Sequence, residues 1–303
     1  MAEKVTDLLA GKTIATGNNP NDGQPQVVDA KMTGINMEDP AALYCDAMTE
    51  RDINKVADGG TITRVVLIGF EAYGKSTFAS SMYYCFTMHE KYCGQTLFDS
   101  DTYSGFERRM LVRDVKRTDL SIREKRTLKG ENPLLVMSLD SETTGKYKVV
   151  LSDRSGEDYS QFSGSDDEIK ENQILKVAEH VVFFIDCDRM MSNYASLRYA
   201  YKNLLQELTG KSLLPENSQL KLVFNKYDLV KDRQGYAANK EKTEGLFTEA
   251  LCGRKYKVYE MDATGASDQF ASVEKLVKDL LMTENASGRA HREQLDWVKN
   301  ELK

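Results

Sequence analysis

The chain has 303 residues, 41% of them hydrophobic and 29% charged, with a formal net charge of −6. That is ordinary globular composition, enough for one large domain or two small ones, and its negative balance argues against a general nucleic-acid-binding surface. No apolar run reaches the roughly eighteen residues that a membrane span needs. The cysteines are scattered without a C-x-x-C pair and the first residues lack a signal core, so a reduced, cytoplasmic protein is expected.

In chain order, residues 1–60 read as an N-terminal extension, partly loop. "TGNNPNDGQPQ" (Thr16 to Gln26) is turn-rich, and "PAALYCDAM" after Asp39 is expected to be a short helix. Then comes "TRVVLIG", β-branched and short enough for a buried parallel strand, followed by "KSTFASSMYYCFTM", a helix from Lys75 to Met88. "SGFERRMLVRDVKR" (Ser104 to Arg117) is expected to be a helix inserted in a long, basic connection over residues 90–133. Arg108, Arg109, Arg113 and their neighbours read as a solvated face, the default for charge.

"LLVMSL" and "KYKVVLSD", joined by "DSETTG", read as a hairpin. "HVVFFID", "LKLVFNK" and "KYKVYEMDA" read as further strands, and "YASLRYAYKNLLQELTG" and "SVEKLVKDLLM" as helices. The predicted fold class is α/β: a three-layer α/β/α sandwich around a mostly parallel six-stranded sheet with one antiparallel strand. The domains expected are 1–60, a nucleotide-binding body over 61–284, and a helical tail over 285–303 that carries Trp297.

Ligands bind such sheets at the carboxyl ends of the strands, and those ends are where the motifs lie. Gly69-Phe70-Glu71-Ala72-Tyr73-Gly74-Lys75-Ser76 fits G-x-x-x-x-G-K-[ST]. Its backbone N–H groups and the following helix dipole make an anion site, with Lys75 for the β- and γ-phosphates and Ser76 for Mg²⁺. Asp153 opens a D-x-x-G run that ends at Gly156; its carboxylate can hold Mg²⁺ through water, and the glycine lets an N–H approach a γ-phosphate. Asn225-Lys226-Tyr227-Asp228 fits N-K-x-D, in which one carboxylate can accept both guanine N–H donors, a pair that adenine lacks. Asp262-Ala263-Thr264 ends the last strand, where a backbone N–H could meet the guanine O6.

In this order, "LIGFEAYGKSTF", "LSDRSGE" and "NKYDLV" resemble the Ras-like G domain of P-loop NTPases over about Thr61 to Leu281. Among these, the chain is similar to bacterial TRAFAC-class GTPases and in particular to the double-GTPase type of GTPase-associated systems, although it carries a single G domain. The resemblance implies a GTP/GDP-binding molecular switch, a slow hydrolase using Mg²⁺ and signalling to a protein effector or activator. It implies that Gly69, Glu71, Ala72, Tyr73, Gly74, Lys75, Ser76 and Thr77 form the phosphate loop, and that Gly156 senses the γ-phosphate. It gives guanine to Asn225, Lys226, Asp228, Ala263 and Thr264, and Mg²⁺ to Ser76, Asp153 and a switch I threonine, for which Thr127 is chosen with Thr118 behind it.

Two departures stand out. Glu157 occupies the position where Ras-like enzymes often have glutamine to orient water, and Glu71 puts a carboxylate where glycine is common. Arg126 or Arg123 is expected to act as an arginine finger in cis, and either could latch Glu71. The competing classes are a pseudo-GTPase interaction module and a P-loop ATPase, the latter requiring N-K-x-D to be accidental.

Overall fold

The computed structural model describes residues 46–52, 56, 61–110, 127, 130, 132–163, 165 and 172–281, with three short strands nearer the N-terminus. The chain divides into two compact units, Met1–Tyr44 and Cys45–Lys303. The first holds β1 (Thr6–Asp7), β2 (Lys12–Ala15) and β3 (Gln26–Val28) in an antiparallel sheet.

The second unit begins, among regular elements, with β4 (Thr61–Ile68) and α1 (Lys75–Met88). Next come β5 (Gln95–Asp99), α2 (Tyr103–Met110), β6 (Leu134–Ser141) and β7 (Gly145–Ser152). Then follow α3 (Gly156–Ser160), α4 (Gln173–Lys176), β8 (His180–Asp186), α5 (Cys187–Ser192) and α6 (Tyr194–Gly210). The described part of the unit closes with β9 (Gln219–Asn225), α7 (Arg233–Ala250), β10 (Tyr256–Met261) and α8 (Ala271–Leu281).

The sheet has seven strands, ordered β10-β9-β8-β4-β7-β6-β5. The antiparallel strand of the predicted hairpin is β6, which opposes both β7 and β5. β4 lies in parallel register with β7 on one side and β8 on the other, and β8, β9 and β10 continue in parallel. From β4 the chain runs to the far edge at β5 and returns inward through β6 and β7, then crosses β4 and moves outward through β8, β9 and β10, so the loop after β4 stands at the topological switch point. Helix α1 packs against α2 and α8, while α6 packs against α5 and α7; these two helical layers cover the two faces of the sheet. Double coverage explains why β8 is buried at every residue and β4 at all but its first.

The structure adds the edge strand β5 to the six expected strands. Of the predicted Ser104–Arg117 helix, residues through Met110 are helical, and 111–117 lie outside the described residues, as does the tail over 285–303. The expected "PAALYCDAM" helix does not reach its last residues: Met48 is extended and exchanges two backbone hydrogen bonds with Leu134, of 2.9 and 2.7 Å. Further on, Glu50 does the work of a helix cap. Its carboxylate accepts Gln173 N at 2.9 Å and Ile174 N at 3.3 Å, while Asn172, at the cap position of α4, makes no side-chain cap bond. Asn132 Nδ2 also donates to Glu50, at 2.7 Å. Among the described residues, no helix is long and apolar enough to cross a membrane.

Candidate nucleotide-binding site

The loop from Gly69 to Ser76 is anchored from below. Phe70 and Tyr73 turn inward onto the buried Tyr201 of α6, with ring centroids 4.7 and 6.4 Å away, and the Tyr201 hydroxyl donates to Phe184 O in β8. Glu71 and Ala72 are left at the surface, Ala72 in the left-handed region at φ 64. Gly74 has φ 89 and a Cβ there would stand 2.0 Å from Asn225 Nδ2, so glycine is required on two counts. As the N-cap of α1, Gly74 supplies no side-chain cap, and the first turn of α1 holds no acidic residue. The helix N-terminus therefore keeps N–H groups for an anion. Thr77, in that first turn, is half-buried.

Lys75 is buried, and its Nζ donates to Gly69 O at 2.7 Å and Phe70 O at 3.2 Å. Burial pushes its pKa down to about 8, against the pull of Asp153, Asp158 and Glu71. Among the described residues no carboxylate forms an ion pair with it. A buried cation held by carbonyl oxygens, with the Tyr159 ring 6.0 Å away, suits an incoming polyphosphate, whose charge would restore its ordinary basicity.

Three oxygen ligands expected for Mg²⁺ converge beside it. Ser76 Oγ donates to Asp153 Oδ1 at 2.9 Å, and Thr127 Oγ1 lies 3.4 Å from Asp153 Oδ2. Hydroxyls and a carboxylate are the hard donors that this ion takes. Arg126 and Arg123 lie outside the described residues. At Gly156 a Cβ would stand 2.2 Å from Glu71 N, so the start of α3 is pressed directly on the loop from Gly69 to Ser76. Glu157 is exposed, and its N–H is capped by Ser155 Oγ at 3.3 Å.

Asn225 ends β9 buried, and its amide works in two directions. Nδ2 donates to Tyr73 O at 2.9 Å, and Oδ1 accepts Ala263 N at 3.0 Å. The phosphate loop and the loop after β10 are thus joined through one side chain. Ser81 of α1 adds a second tie by donating to Ala263 O. Lys226 follows at φ 60 and pairs with buried Asp186 at 2.6 Å. Asp228 is exposed, yet partial desolvation and the charge of Asp262 raise its pKa. Burial works to raise Asp262, but hydrogen bonds from Thr264 and Ser267 prevail and hold its carboxyl low. This fixes Ala263 and the exposed Thr264 at the rim.

The Double-GTPase 2 family description matches residues 63–281, most of the chain and every element from β4 to α8. The chain belongs to the Double-GTPase 2 family. No curated protein matches it.

The described part of this Double-GTPase 2 domain also holds a residue that sequence reasoning assigned to solvent. Arg109 is buried, and its Nε donates to Asp153 Oδ2 at 3.0 Å. The available signal was its spacing: Arg109 falls three residues after Phe106, on one face of α2, and Phe106 is fully buried. Asp186 and Tyr201, which steady Lys226 and the phosphate loop, carried no motif at all.

Proposed function

We propose that the chain binds Mg²⁺ and GTP at these loops, hydrolyses the nucleotide slowly to GDP and phosphate, and signals to a protein partner through the loops that contact the γ-phosphate. The observation that carries this reading is the Asn225 bridge. It joins the phosphate loop to Ala263 at the position expected to face the base, as one site must be joined if it is to read both ends of a nucleotide. In this reading the G domain spans 61–284, with a switch I insertion over 90–133 and a tail over 285–303.

Amides from Ala72 to Ser76 hold the α- and β-phosphates, Lys75 reaches the β- and γ-phosphates, and Gly69 and Tyr73 set the shape of the loop. The Gly156 N–H meets the γ-phosphate. Ser76, Asp153 and Thr127 would hold Mg²⁺, which neutralises charge on the phosphates when bound. Glu157 orients the attacking water, and Arg126 supplies positive charge in cis. Asp228 accepts both guanine N–H groups, the Lys226 stem covers the base, and Ala263 and Thr264 close over its edge.

The test compares GTP, ATP and xanthosine triphosphate by calorimetry. The parent prefers GTP to ATP. Asp228→Asn loses about 2 kcal/mol of GTP affinity, the scale of a lost charge-assisted pair, and gains affinity for the xanthine nucleotide. Equal binding of ATP and GTP by the parent removes the guanine assignment. Normal GTP binding by Lys75→Ala removes the phosphate loop. Tight GTP binding without phosphate release over many turnovers leaves an interaction module that holds nucleotide without hydrolysing it.

A further inference from the structure

The ion pair between Arg109 and Asp153 has no part in the roles above, and its surroundings are built rather than incidental. Helix α2 is fixed to the body at several points. Phe106 stacks on Tyr83 of α1 with centroids 4.5 Å apart. Gly105 lets α2 approach the backbone of Ala47, where a Cβ would stand 2.8 Å from Ala47 N. At the start of α2, the Thr102 hydroxyl accepts Val136 N at 2.8 Å. Arg109 therefore projects from a seated helix. Its guanidinium is held twice, by Asp153 through Nε and by Gly105 O through Nη1 at 2.8 Å. The side chains of Arg109 and Asp153 are only 9% and 1% exposed.

Both oxygens of Asp153 are consequently engaged. Oδ1 accepts Ser76 Oγ, and Oδ2 faces Arg109 and Thr127. A divalent cation coming to Ser76, Asp153 and Thr127 needs the same carboxylate. Two positive charges at contact distance in a dry corner repel strongly. We propose that Arg109 competes with a divalent cation for Asp153, and that Mg²⁺ must displace its guanidinium to bind there. Arg109 is thus a positioning residue: it holds the carboxylate in place, and it raises the Mg²⁺ concentration needed to claim it. This rests on the proposed reading of Asp153 as a metal carboxylate.

The experiment titrates the nucleotide-free full-length chain with Mg²⁺ alone, at constant ionic strength, and follows the melting temperature, which rises as a ligand binds the folded state. The Mg²⁺ concentration giving half the effect should fall about fivefold or more in Arg109→Gln, within the usual range of coupling between sites. Asp153→Asn in that background should abolish the response. An Arg109→Gln titration that overlays the parent overturns the proposal, as does a response that survives Asp153→Asn.

If Arg109→Gln does not fold, the parent itself decides. The Nε–Hε resonance of Arg109, assigned with Arg109→Lys, should shift as Mg²⁺ is added, and an unchanged resonance at saturating Mg²⁺ overturns the proposal. No nucleotide is present in either measurement. A chain that failed to prefer GTP would still answer the question about Arg109, and a negative answer about Arg109 would leave GTP binding intact.

Discussion

Glu71 is the residue of the proposed phosphate loop that an anion site does not need. Its N–H lies against Gly156, and its surface is open to solvent. At about 5 Å from a phosphate charge, a carboxylate costs about 3 kcal/mol at an effective dielectric of 20 but about 1 kcal/mol at that of water; exposure favours the smaller value. Glu71→Gly should therefore shift the GTP/GDP affinity ratio toward GTP by about 1 kcal/mol, roughly fivefold, with little change in the melting temperature of the empty protein. Calorimetric ratios that agree within about twofold would make Glu71 a bystander. The strand, loop and helix around Gly69 to Ser76 were legible because a loop of this kind fixes its own spacing through backbone geometry. Arg109 was not, because an arginine is buried by what packs around it, and neither Asp153 nor the Tyr83 stack is near it in sequence.

Among elements, α2 shows how a docking contact is written in a glycine. Gly105→Ala puts a methyl against the backbone of Ala47, where the chain must give way. A loss of about 1–3 kcal/mol is expected from such overpacking, read as a lower urea midpoint with an unchanged slope. The same substitution should loosen Arg109, which uses the Gly105 carbonyl as its second support. The central strands were legible because burial on both faces demands continuous β-branched and aromatic runs. β5 was not: five half-buried or exposed residues at a sheet edge carry neither such a run nor an alternation. Nor was α7, whose sequence holds Gly235 and Gly245 and whose buried residues are few. Hydrophobic periodicity is weak there because most of the helix faces water.

For the molecule as a whole, the described titrating groups pull stability in opposite directions. Burial raises the pKa of Glu50 to about 7 from its ordinary 4.5, even though backbone N–H groups of α4 favour its charged form. The folded state then holds this proton more tightly than the unfolded chain. The Glu50 contribution is complete below pH 4.5 and is lost as pH rises through about 7. His180 acts in reverse. Burial and Lys221 lower its pKa to about 3 from 6.5, so its contribution is present above 6.5 and lost as pH falls toward 3. The two oppose each other between 4.5 and 6.5. From 6.5 to 8 the Glu50 effect stands apart from that of His180. There the parent should lose a few degrees of melting temperature that Glu50→Gln does not lose, and matching slopes for the two proteins would remove Glu50 from the account.

The double-sided amide of Asn225 has a thermodynamic consequence beyond holding two loops together. If the loop proposed to receive phosphates and the loop proposed to receive the base move as one piece, the two halves of a nucleotide cannot bind independently. Pyrophosphate and guanosine, offered as separate molecules, should each tighten the binding of the other, because the first to arrive orders the loop that the second requires. A mutual gain of about fivefold, near 1 kcal/mol, is the expected size. Asn225→Ala should leave the two fragments binding without regard to each other. Calorimetry of each fragment, with and without its partner, measures that coupling directly, and its absence in the parent would mean that the bridge carries no force.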